Sequence, residues 1–308
     1  MEEHRLGADQ AGRRIDRILK EGWPDVPLGA RMKALRIGLV RLEGRKVSCD
    51  ERAEAGQVLR VPWAEAPRWG VPLVTPAPEG RDDPPWVLFR GRNLLVADKP
   101  AGWLTQPDRP GGDSLVTRVW ELEGVGEGSF RPAAAHRLDR NTSGVVLLPL
   151  TALLLRLLAD LLRRRRLRKT YWALVAGVPP ATGEITRSLR KLEEENRVVE
   201  DPRGDQALTR YRLLGTDGEA SLLELDLVTG RPHQARAHLA FSGFPILGDR
   251  KYAPPVPASA APRPLLHARE VVLPEDPALE DLAGRGFTAP LPEDMAGVLR
   301  RRGIRYTL

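Results

Sequence analysis

One cysteine, five histidines and no unbroken apolar run of membrane length mark this 308-residue sequence by what it does without. Cys49 stands alone, so no internal disulfide forms and no cysteine-based metal site is available. A lone cysteine suits a reducing cytosol. The most apolar stretches, residues 145–150 and 153–162, are broken by Pro149, Arg156 and Asp160, well short of the ~20 residues a membrane helix needs. The opening residues Met1-Glu2-Glu3-His4-Arg5 lack the basic and then apolar regions of a signal peptide. A soluble cytoplasmic protein with no membrane partner is expected, working as a monomer. The histidines do not gather for a metal: His233 and His238 are five apart, where a ligand pair on one helix face is spaced at three or four. Metal sites also draw on clustered carboxylates or cysteines. Neither metal nor cofactor is expected.

Charge is present in excess of one sign. Lys and Arg number 48 against 41 Asp and Glu, a net charge of +7. A coding bias toward arginine would explain Arg in place of Lys but not that excess. A basic balance favours a polyanionic partner, most simply nucleic acid. Hydrophobic residues make up 42% of the chain, enough for a sizeable core, and the length suits one large domain plus a small one.

Residues 1–62 read as a small unit. Ile15, Ile18 and Leu19 recur at helical spacing, a second helix is suggested at 31–36 ending near Gly38, and short strands at 39–42, 45–47 and 57–61 follow. Residues 63–85 hold Pro67, Pro72, Pro76, Pro78, Pro84 and Pro85 and read as a linker, with Trp63, Trp69 and Trp86 anchoring it. From 86 to 308 the pattern changes. Strand-like runs fall at 94–97, 144–148, 171–175, 208–214 and 221–228, and helical runs at 115–122 and 151–165, with a last short helix at 294–302. Hairpin-length turns such as 215–218 suggest an α/β (α+β) domain with a mixed, largely antiparallel sheet.

The segment Ala134-Ala135-His136-Arg137-Leu138-Asp139-Arg140-Asn141-Thr142-Ser143-Gly144 is the most informative. It sets a carboxylate between two arginines at the mouth of the apolar strand Val145-Val146-Leu147-Leu148. Adjacent cations favour the charged form of such an acid. An exposed ion pair in a loop would also fit the residues taken singly. As a string, His136-Arg137-Leu138-Asp139-x-x-Thr142-Ser143-Gly144 resembles the central signature of the RluA-type RNA pseudouridine synthases, and the resemblance implies that Asp139 is catalytic.

Three further strings resemble the same family. Asp98-Lys99-Pro100-Ala101-Gly102 resembles its first motif and places Lys99 in a tight turn, although a plain strand-to-loop turn explains these residues equally well. Lys169-Thr170-Tyr171-Trp172-Ala173 resembles its Lys-x-Tyr-x-Ala segment. At strand spacing Lys169 and Tyr171 share a face. The resemblance implies that Tyr171 lies against the target base and removes its proton, while packing in the sheet is the commoner fate of a strand tyrosine. Gly230-Arg231-Pro232-His233-Gln234-Ala235-Arg236-Ala237-His238 resembles the third motif, with Ala235 where Ile or Leu is usual. It implies that Arg231 pairs with Asp139. Leu247-Gly248-Asp249, Tyr252 and Leu265-Leu266-His267-Ala268 match as well and read as structural. His136 reads as a structural hydrogen-bonder.

Residues 1–62 resemble an alpha-L RNA-binding module, through Arg14-Ile15-Asp16-Arg17-Ile18-Leu19, Gly44-Arg45-Lys46-Val47 and Glu54-Ala55-Gly56-Gln57 onward, with Leu42-Glu43-Gly44 where an Asn-Gly turn is common. Arg31, Lys33, Arg36, Arg41, Arg45 and Lys46 would then contact phosphates without reading sequence. The whole resemblance implies an isomerase that converts uridine to pseudouridine in structured RNA, most simply large-subunit ribosomal RNA. Transfer RNA as substrate, or a catalytically silent RNA-binding protein, are the alternatives. Asp139, Tyr171 and Arg231 are the expected catalytic residues; Lys99, Arg137, Arg140, Lys169, His233, Gln234 and Arg236 are expected to contact substrate. The run Arg163-Arg164-Arg165-Arg166 is either a solvated helix end or a grip on flanking phosphates. The sequence leaves open whether Asp139 attacks the sugar, attacks the ring or removes a sugar proton.

Overall fold

The computed structural model describes residues 2–23, 26–63, 83–125, 130–253 and 261–306. Most of the proline-rich linker, including Trp69, lies outside the described residues. The flanking Trp63 packs on Trp23 with ring centroids 5.5 Å apart, and Trp86 meets Trp103 at 6.1 Å.

The N-terminal unit carries α1 (Ile15–Gly22), α2 (Leu28–Arg36) and the strands β1 (Glu2–Arg5), β2 (Arg41–Leu42), β3 (Arg45–Lys46) and β4 (Val58–Val61), in an antiparallel sheet of order β1-β4-β2-β3. The Ile15, Ile18 and Leu19 face of α1 is wholly buried, as its spacing requires, against Leu35, Val40, Leu42, Leu59 and Val61. Strand β1 is the element its composition hides: Glu2-Glu3-His4-Arg5 has no apolar alternation, yet its backbone pairs along β4. The β2–β3 hairpin turns through Glu43 and Gly44, both left-handed at φ 50° and 77°. Two positive φ values in a row are what a two-residue turn of this kind needs, so Glu43 takes the place of the usual Asn. Its carboxylate accepts the Val58 N–H and holds the strained residue down. Arg31 departs from the phosphate-contacting set. Its side chain turns inward, 8% exposed, and donates to the Leu19 carbonyl at 3.4 Å. Lys33, Arg36, Arg41, Arg45 and Lys46 are exposed.

The larger unit is a mixed sheet. Its strands are β5 (Val87–Arg90), β6 (Leu94–Lys99), β7 (Ser143–Pro149), β8 (Arg168–Ala176), β9 (Thr182–Leu192), β10 (Arg197–Glu200), β11 (Asp205–Thr216), β12 (Ala220–Leu227), β13 (Leu266–Val272) and β14 (Gly286–Thr288). Their order is β10-β9-β11-β12-β8-β13-β7-β6-β5, with β14 beside β13. Every pairing is antiparallel except β13 with β7. Strands β6 and β7 are buried on both faces, which is why they read as continuous apolar runs. Leu95, Ala97, Val146 and Leu148 face α3 (Leu115–Glu123) and α5 (Gln234–Phe241). Leu94, Val96, Val145 and Leu147 face α4 (Ala152–Arg163) through Leu154, Leu158 and Leu161. A sixth helix, α6 (Glu293–Arg302), covers Trp172, Leu174 and Leu222 with Met295, Val298 and Leu299. Among the described residues, no helix is long and apolar enough to cross a membrane.

The parallel contact between β7 and β13 fixes the start of β7. Gly144 sits there at φ 116°, and a Cβ on it would lie 2.1 Å from the Ala268 carbonyl oxygen. Only glycine fits. Gly144→Ala is expected to lose about 3 kcal/mol or more of stability, since a strained backbone and an overpacked core each cost about 1–3 kcal/mol. Chemical denaturation checks this, and an unchanged midpoint would refute the close packing.

Two fully buried histidines tie neighbouring elements together. His267 Nδ1 lies 3.0 Å from Ser143 Oγ, and His238 Nδ1 lies 3.0 Å from Thr209 Oγ1. Burial lowers the pKa of each to about 4, against an ordinary value of 6.5. The unfolded chain therefore takes up these protons first. Stability is full above pH 6.5 and falls as pH drops from about 6.5 toward 4. Thermal melting should show this loss, and His267→Asn should reduce its steepness.

Candidate active site

Asp139 stands in the loop that enters β7, and almost every carbonyl around it is engaged. Thr105 Oγ1 donates to the Leu138 carbonyl at 3.0 Å and accepts the Leu138 N–H at 3.1 Å. The Asp139 carbonyl accepts from Thr142 N at 3.0 Å. The Arg140 carbonyl accepts from Gly102 N at 2.8 Å, and Arg140 Nε donates back to the Gly102 carbonyl at 3.0 Å. Arg263, 7% exposed, donates to the Asn141 carbonyl at 3.1 Å and is clamped by Asp294 at 2.6 and 2.8 Å. A loop with its polar backbone satisfied in this way holds its side chain rigidly.

Lys99 belongs to this scaffold and not to the substrate surface. It is fully buried, and Nζ donates to the carbonyls of Trp103 at 2.8 Å, Pro100 at 3.0 Å and Arg140 at 3.1 Å. Burial lowers its pKa to about 7, opposed by the charge of Asp139. Three acceptors match the three protons of an ammonium, so the geometry is that of the charged form. The turn at Pro100 directs this lysine under the Asp139 loop. Arg140, which is exposed, gives only its Nε to the Gly102 carbonyl.

The second face of the site comes from α5. Arg236 lies in its first turn and donates to Asp249 through Nε at 2.7 Å and Nη2 at 2.8 Å, while Nη1 lies 3.3 Å from Asp139 Oδ2. Asp249, 1% exposed, also accepts the N–H groups of Lys251 and Tyr252. Asp139 is therefore paired with Arg236, and the expected pairing with Arg231 is corrected. Arg231 reaches away, to Asp205 Oδ2 at 3.3 Å and to the Gln206 carbonyl at 3.3 Å. The reason is where the helix starts. His233 is its N-cap in the left-handed region, φ 50°, and Gln234 Oε1 accepts the Arg231 N–H at 3.0 Å. Arg231 is thereby left before the helix and turned toward β11, whereas Arg236 sits on the helix face toward β7. Gln234 is spent too: its amide donates to the Leu208 carbonyl and Thr209 Oγ1, and its oxygen accepts from Thr229.

A cleft of about 740 Å³ opens over Asp139. Tyr171, Lys169 and Leu266 line one side, and Arg231, His233 and Arg236 another. Tyr171 is 6% exposed; burial and then the Asp139 charge push its pKa up, so it is a phenol at neutral pH. Lys169 on the same strand face has its pKa lowered by burial, against the pull of Asp226. His136 accepts from Leu147 N at 3.4 Å and is held neutral, its pKa lowered by burial to about 3. Arg137, Arg163, Arg165, Arg166, Arg168 and Arg210 form a basic rim. Asp160 at the end of α4 engages Arg163 and Arg164. No group of three or more His, Cys, Asp or Glu among the described residues is placed to hold a metal ion.

Sequence reading undervalues Asp249 and Tyr252, which read as structural, and misses Arg263 and Thr105. The first two stand in a family-like string that could flag them. Arg263 lies between Pro262 and Pro264 in a stretch with no periodicity.

Known proteins resemble this chain throughout. A family model described as RNA pseudouridylate synthase matches residues 93–241. An uncharacterized RNA pseudouridine synthase of Chloroflexus aurantiacus is 36% identical over 300 residues, covering 95% of this chain and 90% of that protein. The ribosomal large subunit pseudouridine synthase C of Vibrio cholerae is 31% identical over 265 residues, covering 80% of this chain and 79% of its own length. Among solved structures, human RNA pseudouridylate synthase domain containing 4 superposes with a TM-score of 0.58 at 28% identity, covering 72% of this chain and 94% of that one.

Proposed function

Because the chain belongs to the RluA-type RNA pseudouridine synthase family, enzymes that isomerise uridine in RNA, we propose that it acts on large-subunit ribosomal RNA with Asp139 as the reacting carboxylate. The observation that carries the reading is the geometry of Asp139: one carboxylate on a fully bonded loop, oriented by an arginine that a buried aspartate fixes, at the floor of a basic-rimmed cleft. The isomerisation breaks the bond from C1′ to N1, turns the ring and joins C1′ to C5; C5 then loses its proton and N1 gains one. Atoms balance without a co-reactant. The chain has to supply an ionised carboxylate, an orienting group and a path for one proton. Asp139 and Arg236 serve the first two.

Tyr171 supplies a flat, apolar surface against the base. As a phenol it takes up the C5 proton only while releasing its own, and Asp139 is the carboxylate whose charge acts on it. A uridine in structured RNA must leave its stack to reach this floor. Arg137, Arg165 and Arg166 on the rim meet the flanking phosphates. The ribosomal substrate rests on relatives such as the Vibrio cholerae ribosomal large subunit enzyme and on the basic N-terminal unit. We read residues 1–62 as an alpha-L-type RNA grip, 63–85 as its linker and 86–308 as the catalytic domain, in a cytoplasmic monomer.

Mapping pseudouridines in total RNA from cells with and without the gene tests the substrate: loss at a large-subunit ribosomal position is expected, and loss only in transfer RNA overturns it. The N-terminal grip has its own test. Replacing Lys33, Arg36 and Lys46 by glutamate should weaken RNA binding alike for all sequences. It should also flatten the plot of log affinity against log salt by about one unit for each phosphate no longer neutralised. An unchanged salt slope, measured by filter binding, counts against the module.

A further inference from the structure

The proton of His233, in the cleft beside Asp139, can be placed from its neighbours. The Tyr252 hydroxyl accepts the Val198 N–H at 2.8 Å, so its own proton points elsewhere. The other polar atom against it is His233 Nδ1, at 2.8 Å. Tyr252 therefore donates and Nδ1 accepts. A neutral imidazole that accepts at Nδ1 carries its proton at Nε2. Nε2 faces Asp139 Oδ2 at 3.9 Å. We propose that His233, fixed as the Nε2–H tautomer by Tyr252, is a positioning residue that donates to the Asp139 carboxylate when RNA is bound. The proposal deepens the assignment of Asp139 as the reacting group and rests on it.

Three features support it. The approach still required is about 1 Å, the difference between this spacing and a hydrogen bond to a carboxylate. His233 holds a left-handed φ of 50°, a conformation that costs a non-glycine residue free energy and gathers at functional sites. Tyr252 is itself immobilised. Arg236 lies over its ring at 5.1 Å, Arg197 at 5.8 Å and Phe241 against its edge at 6.3 Å. Its partner Val198 belongs to β10, the outermost strand of the sheet. Once Nε2 reaches Asp139, the carboxylate is connected to the sheet edge through His233, Tyr252 and the Val198 N–H. The ring is kept from taking a second proton by burial, then by Arg236 and Lys251, against the opposite pull of Asp139 and Asp249.

The test uses the full chain with ¹⁵N-labelled histidine. Long-range ¹H–¹⁵N correlation reads the tautomer of His233, assigned by its loss in His233→Asn, a residue that tolerates the same backbone. The expected result is protonation at Nε2 alone in the wild type and a mixture in Tyr252→Phe. Kinetics of Tyr252→Phe, His233→Asn and the double variant form a cycle. Each single change should lower kcat about 10- to 100-fold, the range for a hydrogen bond to a charged group, with KM unchanged. The double variant should be no slower than His233→Asn. A proton at Nδ1 in the wild type, rate losses that multiply, or a loss confined to KM would each overturn the proposal. The wild-type tautomer is read without any variant, so misfolding of Tyr252→Phe leaves the test standing. Turnover by Asp139→Asn would instead sink the Asp139 assignment and leave the tautomer as found, so the two failures are distinct.

Discussion

Asp139→Ala is expected to abolish uridine isomerisation, by more than about 1,000-fold in kcat, while fold and RNA affinity stay nearly as they are. The chemical half follows from what the cleft offers. Its other groups are cations, histidines, a phenol and one further carboxylate, Asp226, whose charge acts on Lys169 and which makes no contact with Arg236; Asp249 is buried beneath Arg236. Positioned acid, base and nucleophile groups are each worth about 100- to 10,000-fold. The structural half follows from how little rests on the side chain. About a third of it is exposed, and its one hydrogen bond is the 3.3 Å contact from Arg236, whose two shorter bonds to Asp249 remain. A partly exposed pair with so long a contact contributes about 1 kcal/mol. Release of tritium from C5-labelled uridine in RNA reads the chemistry, and binding to the same RNA reads the affinity. Turnover above the background of uncatalysed exchange would end the assignment of Asp139 as the reacting group. Lost RNA binding would mean instead that Asp139 shapes the cleft.

How far the site is legible in sequence depends on whether its parts lie in one string. Asp139 and the glycine that sets its loop are adjacent to the apolar strand they precede, so chain order alone places them together. The pairing of Asp139 is different. Two arginines stand five residues apart in 231–236, and which of them faces β7 is decided by the first residue of α5. That choice turns on a left-handed histidine cap, which no propensity indicates. Lys99 misleads for another reason. Lysine is seldom fully buried, so a lysine in a tight turn reads as exposed; here three carbonyls converge and make burial tolerable. The β9–β10 hairpin is silent because Ile185, Leu189 and Val198 are its few buried apolar residues. With charged residues on most other positions there is no alternation to read. By contrast β6, β7 and α4 are covered on an apolar face or on both, and their runs announce them.

Arg236 separates the two things this site does. Arg236→Leu is expected to cost about 3–5 kcal/mol of stability, because Asp249 would keep its charge in a buried place without its cation. Turnover should fall with it, since Asp139 loses its orienting partner. Two further variants show which loss causes which. Arg236→Lys keeps one positive charge but a single ammonium cannot grip both Asp249 oxygens and still reach Asp139. Its melting temperature should recover most of the deficit while kcat stays at least about tenfold low, the effect of one charged hydrogen bond. Arg236→Leu combined with Asp249→Leu removes both charges, as apolar replacement of a buried pair is often neutral in stability. The double variant should melt near the wild type and remain inactive. A double variant that regains turnover together with stability would show that Arg236 only holds α5 in place. Persistent inactivity in a stable protein would trace the loss to groups missing at the site, the 3.3 Å approach of Nη1 to Asp139 and the Asp249 hold on the Lys251 and Tyr252 N–H groups, and Arg236→Lys, which keeps Asp249, separates the two.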